Sequence, residues 1–302
     1  GSNNIGIGRT SLLSFTTGGN NVAIGRYALD ADTTGSNNIG IGHNALSAST
    51  TANNNTGIGH NVLAANTTGT QNVAVGTFAL DSNTTANNNI AIGYNAGSEI
   101  TTGDQNTAIG SFTLDANTTG ANNTAVGRSS LSANTTASNN TGIGYYALLL
   151  NTTGGSNVAV GSETLDANTT GSRNTALGRT SLGANTTGSD NVAVGYEALE
   201  VSTTGNNNIG IGFEALRSNT SGIDNVVIGA EAGESQTTAG QNVAIGRKAL
   251  RQNLTSEGNT AVGSHAMQNT TAANNTGIGN YALQQNTTGT ANVAVGANAL
   301  DA

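Results

Sequence analysis

Asn72-Val73-Ala74-Val75-Gly76-Thr77-Phe78-Ala79-Leu80-Asp81-Ser82-Asn83-Thr84-Thr85-Ala86-Asn87-Asn88 is one period of a pattern that fills the chain. Its Gly recurs eighteen times, from Gly8, Gly25 and Gly42 through Gly279 and Gly296. The step is 17 residues throughout, except for the 16 between Gly263 and Gly279. A fixed short period turns the fold into a question about one unit, because each unit of a solenoid contacts mainly its neighbours. All 302 residues read as a single uninterrupted array of about 18 repeats with no separate globular domain. The chain begins and ends within a repeat, which is read as a segment of a longer protein.

Four residues before each Gly stands an Asn: Asn21, Asn38, Asn55, Asn72, Asn89, Asn106, Asn123, Asn140, Asn157, Asn174, Asn191 and their counterparts onward. One Asn per coil can form a stacked amide ladder along the axis. The three residues between Asn and Gly, such as Val73-Ala74-Val75, alternate as a short strand. The β-branched flanks share one face. The middle residue is Ala or Gly in every coil but that of Val227, and this smallness predicts close contact on the second face too, with another chain as one candidate neighbour. After the Gly come two variable positions, a small residue and usually Leu, as in Ala79-Leu80. Adjacent constrained positions predict a helical turn or a bent second strand. Asn-Thr-Thr-Gly/Ala closes the unit as a turn. The expected fold is mainly β, a parallel β-roll or β-helix of 17-residue coils. At a rise of about 4.8 Å per coil the array would extend roughly 85 Å. Two coils break the pattern alike, with Gly97 and Gly233 in place of Leu, and read as either a higher-order repeat or local kinks.

Composition narrows the function. Gly accounts for 43 residues and Pro for none, as expected where backbone N–H groups are needed in ladders. A period other than three excludes collagen. Charged residues make up 9% of the chain and the net charge is −8. Charge-driven disorder is therefore disfavoured, and no basic patch points to nucleic acid. No apolar run is long enough to span a membrane. Without Cys there is no disulfide framework.

The candidate chemistry is sparse. Asn-x-Thr/Ser sequons fall at the turn residues Asn66, Asn83, Asn117, Asn134, Asn151, Asn168, Asn185, Asn219, Asn253, Asn269 and Asn286, and near the ladder at Asn54, Asn122, Asn139 and Asn274. They are candidate glycosylation sites; the competing reading is a turn in which Asn and Thr bond the backbone. The paired Thr columns also admit an ice-binding face, although adjacent Thr residues on a strand would point to opposite sides. Aromatics gather after the Gly at Tyr27, Phe78, Tyr94, Phe112, Tyr145, Tyr146, Tyr196, Phe213 and Tyr281, forming a candidate surface stripe. His43 and His60 share a column without a third ligand. Asp30, Asp81, Asp115, Asp166 and Asp301 share another, never in adjacent coils, which is too sparse for a calcium ladder. No nucleophile, base and orienting group converge, and no cofactor or metal is expected.

The strand motif of Asn72-Val73-Ala74-Val75-Gly76 and Asn242-Val243-Ala244-Ile245-Gly246 resembles the head repeats of YadA-like trimeric autotransporter adhesins. The longer unit, Asn123-Thr124-Ala125-Val126-Gly127 with Leu131 and Asn134-Thr135-Thr136, looks like repeats of bacterial and phage tail-fibre-type surface proteins. That resemblance implies a left-handed parallel β-roll, usually trimeric, at the exterior or on the cell or virion surface. The 17-residue unit is longer than the usual adhesin head repeat. The expectation is a non-enzymatic structural repeat of a fibre, filament or adhesin shaft, with glycan on the Asn-Thr-Thr columns. Its partner would be itself, end to end or laterally, as trimer or filament, with no nucleic acid and no membrane insertion. The alternative is a carbohydrate- or receptor-binding module that engages surface glycans; ice binding ranks third.

Overall fold

The computed structural model describes residues 1–301, in two compact units, Gly1–Thr153 and Gly154–Ala302. Each unit is a mainly β solenoid of 17-residue coils. In the first, nine three-residue strands run from β1 (Ile5–Ile7) to β9 (Thr141–Ile143); in the second, nine run from β10 (Val158–Val160) to β18 (Val293–Val295). Within each unit every strand pairs in parallel and in register with the next, so that Val73 faces Ile90, Ala74 faces Ala91 and Val75 faces Ile92. Strands form here because β-branched residues flank the small central one in nearly every coil.

The sidedness of these strands reverses the expectation. The small central residues, such as Ala74, Ala91, Ala159 and Ala244, are fully buried, and the β-branched flanks look outward. Smallness is needed because the core Leu of the preceding coil lies against this position. A Cβ added at Gly40 would sit 3.3 Å from Leu29 Cγ, and one at Gly210 would sit 3.2 Å from Leu199 Cδ1. The close neighbour is the chain itself, not a second molecule. A typical coil therefore buries one Leu, two or three small residues and two Asn, as in Leu80, Ala74, Ala79, Ala86, Asn72 and Asn83.

The segment after the repeat Gly is neither a helical turn nor a second strand. Its backbone swings into the left-handed region at alternate residues: Gly76 at φ 134°, Phe78 at 61° and Leu80 at 50°. This geometry turns successive N–H groups up and down the axis. Phe78 N–H donates to His60 of the coil before, and Leu80 N–H to Ala96 of the coil after. A left-handed Leu costs roughly 1–2 kcal/mol, and the axial hydrogen bonds and complete burial of the side chain offset that cost. The repeat Gly is fixed by space as well as by φ, since a Cβ at Gly110 would lie 2.6 Å from the Gly127 carbonyl oxygen.

The Gly97 and Gly233 coils are neither kinks nor breaks in register: Ile90, Ala91 and Ile92 pair normally with Thr107, Ala108 and Ile109. Gly97 and Gly233 hold the same left-handed position, at φ 58° and 55°. The volume lost is replaced three residues on, where Ile100 and Gln236 occupy the buried turn-Asn position. A Cβ at Gly97 would meet Ile100 Cδ1 at 2.9 Å and Leu80 Cδ2 at 3.2 Å. In the 16-residue coil the missing residue comes from the turn, and Thr270 takes the interior position.

Gly97→Leu should therefore destabilise the protein by about 1–3 kcal/mol through overpacking, although Leu is the commoner residue there. Ile100→Asn alone should also destabilise, by leaving a cavity. The double substitution recreates the Leu80–Asn83 arrangement and should recover most of either loss in chemical unfolding. Strictly additive losses would show that the two side chains do not compete for one space.

Candidate functional site

Both Asn columns point inward, and together they close each coil. The ladder Asn accepts at Oδ1 from the next ladder N–H: Asn38 N–H donates to Asn21 at 2.9 Å and Asn106 N–H to Asn89 at 2.8 Å. Its Nδ2 crosses the coil to the carbonyl that ends the Asn-Thr-Thr turn. The turn Asn donates to that same carbonyl. The Gly69 oxygen accepts from Asn55 at 2.8 Å and from Asn66 at 3.0 Å. Ala137 accepts from Asn123 at 2.9 Å and Asn134 at 3.0 Å, and Gly188 from Asn174 at 2.8 Å and Asn185 at 3.1 Å.

This placement corrects the glycosylation reading of the turn sequons. Asn66, Asn83, Asn117, Asn134, Asn151, Asn168, Asn185, Asn219 and Asn253 are all buried. A glycan on Nδ2 would remove a clamp donor and has no room inside the coil. Asn269 and Asn286 are half-buried, and Asn286 Nδ2 is bonded to Gly289. Only the sequons beside the ladder, Asn54, Asn122, Asn139 and Asn274, are exposed, each at a left-handed corner. The two Thr of each turn also divide. The first forms an axial hydroxyl ladder, with Thr33 Oγ1 donating to Thr50 at 2.9 Å and Thr84 to Thr101 at 3.1 Å. The second, as in Thr68, Thr85 and Thr136, is exposed. One outward Thr column does not make the paired rows that an ice-ordering face calls for.

Three outer columns carry the surface chemistry. The residue before the repeat Gly is Ile, Val or Leu in all eighteen coils. It stays partly open to solvent: Ile92 is 39%, Ile109 37%, Ile143 39% and Ile245 38% exposed. At the corner after the Gly, the first unit carries rings in contact from Tyr27 to Phe112, including His43 and His60, which stack at 5.3 Å. Tyr145 and Tyr146 stack on each other at 3.8 Å, Tyr196 on Phe213 at 5.6 Å, and His265 on Tyr281 at 4.8 Å. The second unit also carries ion pairs, which join this corner to the column five residues after the Gly. Arg217 lies 3.1 Å from Glu197 and 2.8 Å from Glu200, and Arg251 bonds Glu231 and Glu234.

The acidic column is half-buried. Desolvation raises Asp30, Asp115 and Asp166, and pushes Asp81 up to about 6 with help from Glu99. Where Gly183 interrupts this column, an open cavity of 330 Å³ forms beside Glu163, Asp166 and Glu200. Two of its carboxylates are already engaged, by Arg179 and Arg217. Among the described residues no group of three or more His, Cys, Asp or Glu is placed to hold a metal ion, and no helix is long and apolar enough to cross a membrane. No family model matches the chain, and the search of curated proteins found no match.

The clamp is imperfect where the turn Asn is replaced. Asp32 accepts from Gly35 N–H at 2.8 Å but offers no donor to the Gly35 carbonyl, and its second oxygen is buried without a partner. Ser49, in the next coil, leaves its hydroxyl unbonded. Burial raises the Asp32 pKa. The stability that its protonated form confers is fully present below the ordinary aspartate value and is lost as pH rises through the raised folded value. Asp32→Asn restores the second amide and should raise stability near neutral pH by about 1–2 kcal/mol. Thermal melts across pH should show this gain shrinking on acidification, and a gain independent of pH would contradict the assignment.

Proposed function

We propose that the chain is a non-enzymatic structural repeat of an extracellular fibre, filament or adhesin shaft whose copies associate laterally through the sheet face. The observation that carries this reading is the unbroken aliphatic column before the repeat Gly. Nine coils at a rise of about 4.8 Å, with strands roughly 10 Å wide, present on the order of 400 Å² of flat, largely apolar surface in each unit. Monomeric surfaces rarely carry larger contiguous patches without using them. The residues three before the Gly, Val, Ile or Thr throughout, widen the strip without adding charge. The surface repeats in every coil, so association can be built from many equal weak contacts.

The interior supports a load-bearing role. Strand ladders, Asn ladder and Thr ladder all run along the axis, so each coil is bonded to its neighbours at several points around its perimeter. The exterior location rests on the resemblance of the repeat to adhesin heads.

Lateral association should show as a defined oligomer in light scattering coupled to size-exclusion chromatography. Replacing Ile92, Ile109 and Ile143 with Lys should dissociate it while leaving the circular dichroism melt close to wild type, because all three side chains are already partly solvated. A wild-type chain that remains monomeric at its highest soluble concentration would refute lateral assembly.

A further inference from the structure

Six successive coils of the first unit each contribute one ring to a continuous outer series. Tyr27 meets His43 at 5.9 Å between centroids and His43 meets His60 at 5.3 Å. His60 meets Phe78 at 5.6 Å, Phe78 meets Tyr94 at 6.2 Å, and Tyr94 meets Phe112 at 5.2 Å. The rings come from the first or second position after the repeat Gly, alternating without a fixed rule, yet they close into one contact chain. They are not core. The interior of these coils is filled by residues such as Ala79 and Leu80, whereas Tyr94 and Phe112 are exposed. Packing within the fold does not call for aromatics here, since several coils of the second unit place charges at the same positions, as at Glu163, Arg179, Glu231 and Lys248.

We propose that this ladder binds an extended neutral polysaccharide, with successive sugar rings lying along the series. Between His43 and Phe112 neither corner position carries Lys, Arg, Asp or Glu, which disfavours a charged ligand. Amide groups stand among the rings, at Asn44, Asn61 and Asn95, and Asn44 Nδ2 bonds Asn61 Oδ1 at 3.0 Å. Rings mixed with amides and imidazoles suit a ligand that has apolar C–H faces and a rim of hydroxyls. The coil rise of about 4.8 Å is comparable to the length of one sugar unit in an extended chain, so neighbouring sugars can meet neighbouring coils. The surface has no deep cleft, and affinity must come from many linked weak contacts, which favours a long ligand over a monosaccharide. Cations flank the series: Arg26 lies 4.5 Å over Tyr27, and Arg128 lies 5.9 Å from the Tyr145 ring.

This inference goes beyond the shaft reading, and the two fail separately, one in oligomeric state and the other in saccharide binding. The test is calorimetric titration of the full chain with cellohexaose, laminarihexaose and chitohexaose, with polygalacturonate as a charged counter-probe. Binding of at least one neutral hexamer, stronger than that of polygalacturonate, is expected. Tyr94→Ala with Phe112→Ala should weaken it roughly tenfold or more, while Tyr196→Ala with Phe213→Ala in the second unit should leave it unchanged. Tyrosine emission intensity of the wild-type chain should change on titration, a readout that needs no variant. Absence of binding to all three hexamers, equal binding by the Tyr94/Phe112 variant, or preference for polygalacturonate would overturn the proposal. So would a change of oligomeric state in that variant, which would make the ladder a contact between copies of the chain.

Discussion

Everything in this molecule depends on how one backbone carbonyl per coil is held. The turn that ends each coil leaves a C=O facing an interior too dry to hydrate it, and an unpaired buried carbonyl costs about 1–3 kcal/mol. Two Asn amides converge on it, one from the start of the coil and one from the turn, as at Gly69, Ala137 and Gly188. The first of these amides also receives the N–H of the next ladder Asn. One residue type thus closes a coil and sets its register on the next. Asn is suited to both tasks because it alone among short side chains carries an acceptor and a double donor.

That polar scaffold explains why so little apolar volume suffices. A coil with one Leu and a few Ala cannot offset its own ordering entropy. Stacking changes the balance, because the Leu of each coil is covered by the small strand residue of the next, as Leu29 is by Gly40. The requirement that this residue stay small pushes the larger aliphatic side chains to the outer face of the strand. The exposed apolar strip is therefore a geometric by-product of the interior packing as well as the surface on which association is proposed. A polar column could have occupied that face without disturbing the core, yet Ile, Val or Leu stands there in every coil.

Period, strand position and parallel stacking were legible because they rest on Gly spacing and on alternation, which a linear sequence displays directly. Sidedness was misread. Val73-Ala74-Val75 alternates equally well with either face inward, and nothing local says that the Leu of the preceding coil sits beneath Ala74. The left-handed Leu was hidden for a different reason. Leu does not advertise positive φ, as the corner residues Asn20, Asn37 and Asn54 do. The signal lay in the two exceptions: Gly97 and Gly233 show what the backbone is doing at that position, but in sequence they look like breaks. The sequons misled because Asn-Thr-Thr reads the same whether its amide faces solvent or the interior. The substitutions to Asp32, Ser49, Ser202 and Gln236, none of which can be N-glycosylated, already pointed to an internal role.

The coil thus separates what is fixed from what is free. The interior columns tolerate few residue types because each side chain is shared by two coils, so a change in one must be answered in the next or three residues away, as at Gly97 and Ile100. The two positions after the repeat Gly are freer: most of their side chains leave the coil, and the left-handed φ at the second is met by residues as different as Asn44, Phe78 and Glu197. That freedom lets the corner carry an unbroken run of rings over six coils of the first unit and a mixture of rings and charges in the second, on an unchanged interior. A surface built this way acquires binding character one coil at a time, and a run of six coils of one kind is an extended feature that no single repeat displays. Specific recognition, where this protein has it, is therefore expected to reside in the sequence of corner residues along the stack and not in a pocket within any coil.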